Sequence, residues 1–198
     1  MRRNLIVLFV VAAGVGGWFG RHALGEDAPG GGGMPSESEM EKMMTELAKP
    51  GEHHTWLTAQ AGEYDVAMKT YGPGGVQEAK ATATVKMVLG GRFQEQRFNG
   101  TVHGKPFEGF GMTGYDNLKK EFVNYWFDTM GTAPSVARGQ RSADGKVMTL
   151  TGSWDMPGGA MPFSMVTTVK SEKEMTFKMT GTFQGQEMPM MEATYTKK

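Results

Sequence analysis

Aromatic and charged residues alternate along one predicted strand in a way that suits ligand binding. Trp126 and Asp128 share a face of this strand with three other residues, Phe122, Asn124 and Met130. A carboxylate beside an indole on a half-buried face is costly unless it has a partner. The pattern predicts that Asp128 is a polar anchor in a ligand cavity, paired with Arg97 or Arg138 or aimed at the head group of the ligand. A structural ion pair or a simply exposed Asp128 is the alternative.

A second predicted strand could supply another wall of such a cavity. One of its faces carries Phe93, Glu95, Arg97 and Asn99, and the other carries Gln94, Gln96 and Phe98. The alternation does not decide which face points inward. Glu95 and Asp128 could divide acid and base roles only in unequal environments, so a catalytic pair is the less favoured interpretation.

The sequence gives little support for a metal site, a haem site or a catalytic nucleophile. His53 and His54 are adjacent on a short predicted helix, so their side chains point about 100° apart, which is poor geometry for one metal ion. His103 lies by itself near a predicted turn, no G-x-S-x-G motif occurs, and the chain has no Cys. We therefore expect no cofactor or metal, and the sequence identifies no catalytic residue.

Methionine offers one alternative function. Of the 18 Met residues, eight lie between Met156 and Met191. Thioether sulfur is a soft ligand that suits Cu(I) in an exported protein. Four of these residues, however, alternate along two predicted strands, where Met is an ordinary filler of a core or pocket wall: Met161, Met165, Met175 and Met179. The pattern favours packing over copper binding.

The copper alternative can be tested at Met188, Met190 and Met191. Replacing all three by Leu, which roughly matches Met in volume, is expected to leave any Cu(I) binding unchanged if these side chains serve packing. Titration against a competing chelator measures the affinity. Loss of micromolar Cu(I) binding in the triple variant would identify them as ligands.

The amino-acid composition limits the classes of partner that can be expected. The 198 residues carry 21 Lys and Arg against 21 Asp and Glu, so no polyanionic partner is indicated and nucleic-acid binding is not expected. The hydrophobic content of 39% is enough for one modest core.

Residues 1–25 have the layout of a secretory signal. Arg2 and Arg3 precede an uncharged apolar stretch from Leu5 to Gly20, and Ala23 and Gly25 suit a cleavage site. An uncleaved membrane anchor is the alternative, and it is the one membrane contact that the sequence suggests. Residues 26–38 are rich in Gly, Pro and Ser and predict a flexible linker. Export of a chain without Cys fits a bacterial periplasm or cell envelope.

The remaining chain predicts short helices followed by an all-β domain. Residues 39–61 show helical spacing interrupted by Pro50 and Gly51. In residues 62–198, nine turn signals about 14 residues apart separate ten strands, and Asp144-Gly145 is typical of a hairpin whose central positions both have positive φ. Strands in simple succession predict an antiparallel up-and-down barrel of about ten strands with the helices over one mouth. An open sandwich is the alternative.

Several short motifs, taken in order, resemble an uncharacterised bacterial family, domain of unknown function 1579. The resemblance covers roughly residues 50–198 and is carried by Glu52-His53-His54, Gly62-Glu63-Tyr64, Leu89-Gly90-Gly91-Arg92-Phe93, Pro106-Phe107-Glu108-Gly109, Gly114-Tyr115-Asp116-Asn117, Trp126-Phe127-Asp128-Thr129-Met130-Gly131 and Glu192-Ala193-Thr194-Tyr195-Thr196. It implies a calycin-like barrel, in which Gly62-x-Tyr64 is similar to the Gly-x-Trp element of lipocalins. The family implies no activity.

These observations together predict an exported lipocalin-like barrel that binds a small, largely apolar ligand. The residues predicted to contact it are Phe93, Glu95, Arg97, Trp126, Asp128 and Arg138. The alternatives are the copper-binding protein and an interaction module of the cell envelope whose barrel is packed solid.

Overall fold

The computed structural model describes residues 35–198, so the predicted signal and most of the predicted linker lie outside the described residues. Two helices come first, α1 (Glu37–Leu47) and α2 (Glu52–Ala59). Helix α1 begins two residues before the start predicted from the sequence and buries none of its residues. No helix within residues 35–198 has the length and apolar character needed to cross a membrane.

Ten antiparallel strands follow and form one closed barrel, which confirms the predicted fold class. They are β1 (Gly62–Gly72), β2 (Gly75–Val88), β3 (Phe93–Val102), β4 (Lys105–Asp116), β5 (Glu121–Asp128), β6 (Ser135–Arg141), β7 (Val147–Met156), β8 (Gly159–Ser171), β9 (Glu174–Phe183) and β10 (Gln186–Lys197). Each strand pairs with its neighbours in sequence, and β1 pairs with β10 from Tyr64 opposite Lys197 to Thr70 opposite Met191. This closing pair excludes the open sandwich and leaves the sheet without a free edge.

The turn between β6 and β7 differs in detail from the prediction. Gly145 has a φ of 72°, but Asp144 is not among the residues with positive φ, so this is not a type I′ turn. The loop is longer, and the Asp144 carboxylate accepts hydrogen bonds from the Ser142 hydroxyl at 2.6 Å and the Lys146 backbone N–H at 3.0 Å. These bonds stabilise the loop without positive φ at Asp144.

Helix α2 covers one end of the barrel, which we call the closed end. Leu57 of α2 and Phe122 of β5 are both 0% exposed and belong to the same buried cluster. The Gln94 side-chain amide donates to the Leu57 carbonyl at 2.9 Å, and the Trp56 indole N–H donates to the Gly145 carbonyl at 2.7 Å. The helix is therefore held by apolar contacts inside the barrel and by hydrogen bonds at its rim.

The two histidines of α2 are part of this closure. Burial is the largest cause that lowers the pKa of His53, and the nearby charge of Arg141 is the next. The His53 ring stacks on the Tyr115 ring, with their centroids 3.8 Å apart. Burial, followed by the charge of His53, lowers the pKa of His54, whose Nδ1 accepts the Gly51 backbone N–H at 3.0 Å. The fold thus favours the neutral form of both rings.

Acidification from about pH 7.5 to about pH 5.5 is expected to lower the free energy of unfolding. Both histidines bind a proton less readily in the fold than in the unfolded chain. Their contribution is therefore complete above the ordinary His pKa of 6.5 and declines as the pH falls from there towards the lowered pKa. Urea denaturation at both pH values measures the change, and His54→Gln should reduce it. An unchanged pH dependence in that variant would assign the effect to other groups.

Candidate functional site

Trp126 and Asp128 both point into the barrel, as their pairing with the inward positions Gly111 and Gly109 of β4 shows. The Trp126 indole N–H donates to Asp128 Oδ2 at 2.9 Å, and the Met130 backbone N–H donates to Oδ1 at 2.8 Å. Asp128 therefore finds its partners on its own strand and in the following turn. The cost of placing a carboxylate beside an indole is offset by these hydrogen bonds rather than by an arginine.

The indole of Trp126 lies flat against the glycines of β4. A Cβ on Gly109 would stand 2.2 Å from indole Cζ2, and one on Gly111 would stand 2.9 Å from Cε3. Only glycine leaves space for the ring at these two positions. One face of the indole thus packs on the wall, and the ring also meets Phe98 edge-on with centroids 6.4 Å apart.

The other four predicted contact residues lie on the outer face of the sheet. Gln94 and Phe98 of β3 are buried inside, so Phe93, Glu95 and Arg97, which alternate with them, point outward. Glu95 Oε1 is 3.2 Å from Arg97 Nε and 3.3 Å from Lys86 Nζ. Arg138, also on the outer face, pairs with Glu121 at 2.9 Å. The predicted pairing of Asp128 with Arg97 or Arg138 is therefore wrong, because the sheet separates them.

The same separation bears on catalysis. Burial raises the pKa of Glu95, but hydrogen bonds from Arg97 and Lys86 outweigh it, and the pKa is lowered overall. Glu95 is thus held ionised on the outside, whereas Asp128 is inside. The two carboxylates cannot act on one substrate as an acid and base pair.

Two hydrogen-bonded pairs of neutral polar side chains lie at neighbouring inward register positions of the barrel, and we call these four residues the polar corner: Gln96, Thr113, Asn124 and Tyr195. The Gln96 amide donates to the Tyr195 hydroxyl at 3.2 Å, and the Asn124 amide donates to Thr113 Oγ1 at 2.9 Å. Burial raises the pKa of Tyr195 to about 12, despite an opposing effect of the Gln96 hydrogen bond. Tyr195 is therefore a neutral phenol at physiological pH.

Across the lumen from β4, strands β8, β9 and β10 present sulfur and aromatic groups. Met179 is directly opposite Met165 on one side and Met191 on the other, and we call these three the methionine row. All three point inward yet are only half-buried. Phe177, one inward position before Met179 on β9, is also half-buried. Phe177 and Met191 pack against one buried cluster and Met165 packs against the other, so only part of the surface of each side chain remains accessible.

The methionines of β8 to β10 have no cluster of carboxylate or imidazole groups beside them that could help to bind a metal ion. Residues 35–198 contain no group of three or more His, Asp and Glu side chains that could hold a metal ion. Of the three methionines at the start of β10, Met188 is exposed. The sulfur of Met190 packs over Gly181, 3.4 Å from the position that a Cβ on this glycine would take. Met191 belongs to the methionine row.

The outer wall also carries a groove of about 720 Å³, across strands β1, β2 and β8 to β10. Four of its five charged groups pair with one another: Lys69 with Glu78 at 3.1 Å, and Lys178 with Glu192 at 3.9 Å. Paired, exposed charges offer little for specific recognition. The lumen, with its polar corner and its half-buried apolar wall, is the better candidate site.

Gln96, Thr113 and Tyr195 were not predicted as site residues. Gln96 belongs to the face of β3 that the sequence left unassigned, and a signal for that face does exist. Phe98 and Val102 are in phase with Gln96 and both are buried, so an apolar residue every second or fourth position would have marked the inward side.

The structure of an S-type phycobiliprotein lyase from Guillardia theta is similar to this chain, with 8% identity, a TM-score of 0.56, and coverage of 83% of this chain and 98% of the lyase chain. At this identity the likeness concerns the fold. A redesigned β-barrel bound to DFHBI is also similar, with 11% identity, a TM-score of 0.40, and coverage of 71% of this chain and 97% of that chain. No curated protein matches the chain in sequence.

The family resemblance that the motifs suggested is confirmed over nearly the whole barrel and α2. The model of one family matches residues 49–197, which is well over half of the chain. That range includes the polar corner, the methionine row and Trp126. The chain belongs to DUF1579, a family of proteins of unknown function.

Proposed function

We propose that the barrel binds a small, largely apolar molecule in its lumen, between Trp126 on β5 and the methionine row on β8 to β10. The observation that carries the proposal is the partial exposure of inward side chains in the middle of strands: Met165, Phe177, Met179 and Met191. Apolar side chains that pack against the core on one side and stay partly accessible on the other offer surface for a ligand to cover.

The residue types suit that role. Burial of apolar surface contributes about 25 cal/mol per Å², and the flexible thioether chain adjusts to differently shaped partners. Trp126 adds a rigid surface, because its indole is held by the glycines of β4 and by its hydrogen bond to Asp128. A rigid side and an adaptable side together suit the binding of an apolar molecule.

Titration of the purified protein with fluorescent apolar probes tests the proposal. Met179→Gln keeps the volume of the side chain but places an amide on the apolar wall, and it should weaken probe binding about tenfold. Lys178→Gln changes the neighbouring, outward residue of β9 and should have no effect. Equal behaviour of the two variants would contradict a lumenal site.

General esterase and glycosidase substrates are tested in parallel. If the probes fail to bind while a substrate is turned over, and Asp128→Asn abolishes the turnover, the protein is an enzyme. If neither probes nor substrates respond, a packed barrel acting as an envelope interaction module becomes the better explanation.

We also propose that the protein acts outside the cytoplasm. The support is the sequence of residues 1–25, with Arg2 and Arg3 before an apolar stretch. N-terminal sequencing of protein recovered from the cell envelope is expected to find most chains cleaved near Gly25. Recovery of intact Met1, or of purely cytosolic protein, would contradict a cleaved signal.

A further inference from the structure

The inward face of the barrel carries no charge along its middle. Among residues 35–198, the charged side chains at inward register positions stand only towards the two ends: Lys105, Asp128, Arg141 and Lys197. Arg141 lies at the closed end, 3.5 Å from Glu52 and with its guanidinium 5.7 Å from the Trp56 ring. Asp128 is engaged by Trp126 and the Met130 backbone. None of these groups is placed to pair with a charge held midway.

The polar corner, in contrast, has unused hydrogen-bonding capacity. Within the described chain, the side-chain carbonyl oxygens of Gln96 and Asn124 accept no hydrogen bond, and the hydroxyls of Thr113 and Tyr195 act as acceptors only. Two acceptors and two hydroxyl protons therefore remain for a ligand. If the side-chain amide of Gln96 or Asn124 is rotated by 180°, its oxygen and nitrogen exchange places, but the polar corner stays uncharged.

The polar corner borders the apolar surface that the proposed function uses. Gly111 lies between Gln96 and Trp126 in the register of β3, β4 and β5. A Cβ on Gly111 would stand 3.7 Å from Gln96 Cβ and 2.9 Å from the indole. The missing side chain thus leaves the amide and the indole next to each other. A ligand lying on the indole has one end within reach of the corner.

From this arrangement we infer that the ligand is an uncharged apolar molecule with one carbonyl or hydroxyl group, which the polar corner hydrogen-bonds. This inference rests on the proposed function and names its ligand class. A neutral oxygen exchanges its hydrogen bonds with water for bonds to Gln96, Asn124 or the hydroxyls. A carboxylate or an ammonium would lose its hydration without gaining an opposite charge.

Competition by ligands that differ only in their head group tests the inference. A neutral fluorescent probe is bound to the full-length protein and displaced with decanol, 2-decanone, decanoate or decylammonium at about pH 7.5, where the last two are ionised. Decanol and 2-decanone should displace the probe at concentrations at least tenfold lower than the ionised compounds. Equal potency of decanoate or decylammonium would overturn the inference.

A matched pair of variants locates the effect. Gln96→Met removes a polar group from the polar corner at similar volume. It should weaken the binding of decanol and 2-decanone about tenfold. The affinity for the probe itself, which reports the hydrocarbon part of the interaction, should stay unchanged. Gln140→Met makes the same replacement at an outward, exposed position of β6 and should change neither. An unaltered head-group preference in Gln96→Met would overturn the role of the corner.

The outcomes separate the two proposals. If the probe binds in the lumen but ionised and neutral competitors are equivalent, only the ligand class is wrong. If no probe binds and no competitor stabilises the fold against heat, the proposed function is wrong and the ligand class falls with it.

Discussion

Replacing Phe122 by Ala is expected to lower the free energy of unfolding by about 3 to 5 kcal/mol. Phe122 is fully buried where β5 meets α2, and its ring contacts three aromatic groups edge-on: His53 at 5.5 Å, Trp56 at 5.6 Å and Tyr115 at 5.0 Å. The substitution removes this apolar surface and leaves a cavity that the rigid barrel can close only in part. Urea denaturation at neutral pH measures the loss.

A control is available on the same strand. Phe127 points outward and is 45% exposed, so Phe127→Ala should change the stability by much less than Phe122→Ala. Comparable losses from the two variants would contradict the assigned faces of β5. A small loss in Phe122→Ala alone would show that α2 moves in to fill the space.

Replacing Trp126 by Ala is expected to weaken an apolar ligand by about 1.5 to 3 kcal/mol, or roughly 10- to 150-fold in Kd. The reason is that the indole supplies a rigid apolar surface on the side of the lumen opposite the methionine row. Loss of the ring also exposes Gly109 and Gly111, whose backbone offers little apolar area. Fluorescent probe titration measures the affinity below the melting temperature of the variant.

Two further variants separate the indole surface from its hydrogen bond. Trp126→Phe keeps an aromatic ring but loses the N–H that donates to Asp128, so it should retain most of the affinity. Tyr125→Ala removes a ring of similar size from the outer face of the same strand and should leave the affinity unchanged. If Trp126→Ala also leaves probe affinity unchanged, the ligand does not lie on the indole.

Much of the fold follows from short-range patterns. The spacing of turn residues and the alternation along strands such as β9 predicted ten antiparallel strands, because strand period and turn chemistry depend on residues close together in sequence. The closing of the sheet could be inferred as well, since an edge left open between β1 and β10 would expose unpaired backbone groups. The inward orientation of Trp126 and Asp128 agreed with the apolar residues in phase with them.

The predicted partners of Asp128 were wrong, and strand β3 shows why: both of its faces carry apolar as well as polar residues. Along β3, Phe93 and Phe98 are five positions apart and therefore lie on opposite faces. Alternation over residues 93–99 alone could not tell which of them points inward, because the deciding signal is Val102 further along the strand. Of the four charged residues assigned to the site, only Asp128 lies inside the barrel. On the outer wall, Glu95 and Arg97 pair with each other, and Arg138 pairs with Glu121.

The amino-acid sequence by itself determined the element types, their order and the apolar character of the lumen, because these depend on local periodicity and composition. Only the tertiary structure decided which side chains meet. Gln96 and Tyr195 are 99 residues apart, and Thr113 and Asn124 come together through the register of β4 and β5. Such pairs depend on how ten strands are staggered around a closed barrel, which is a property of all their pairings at once.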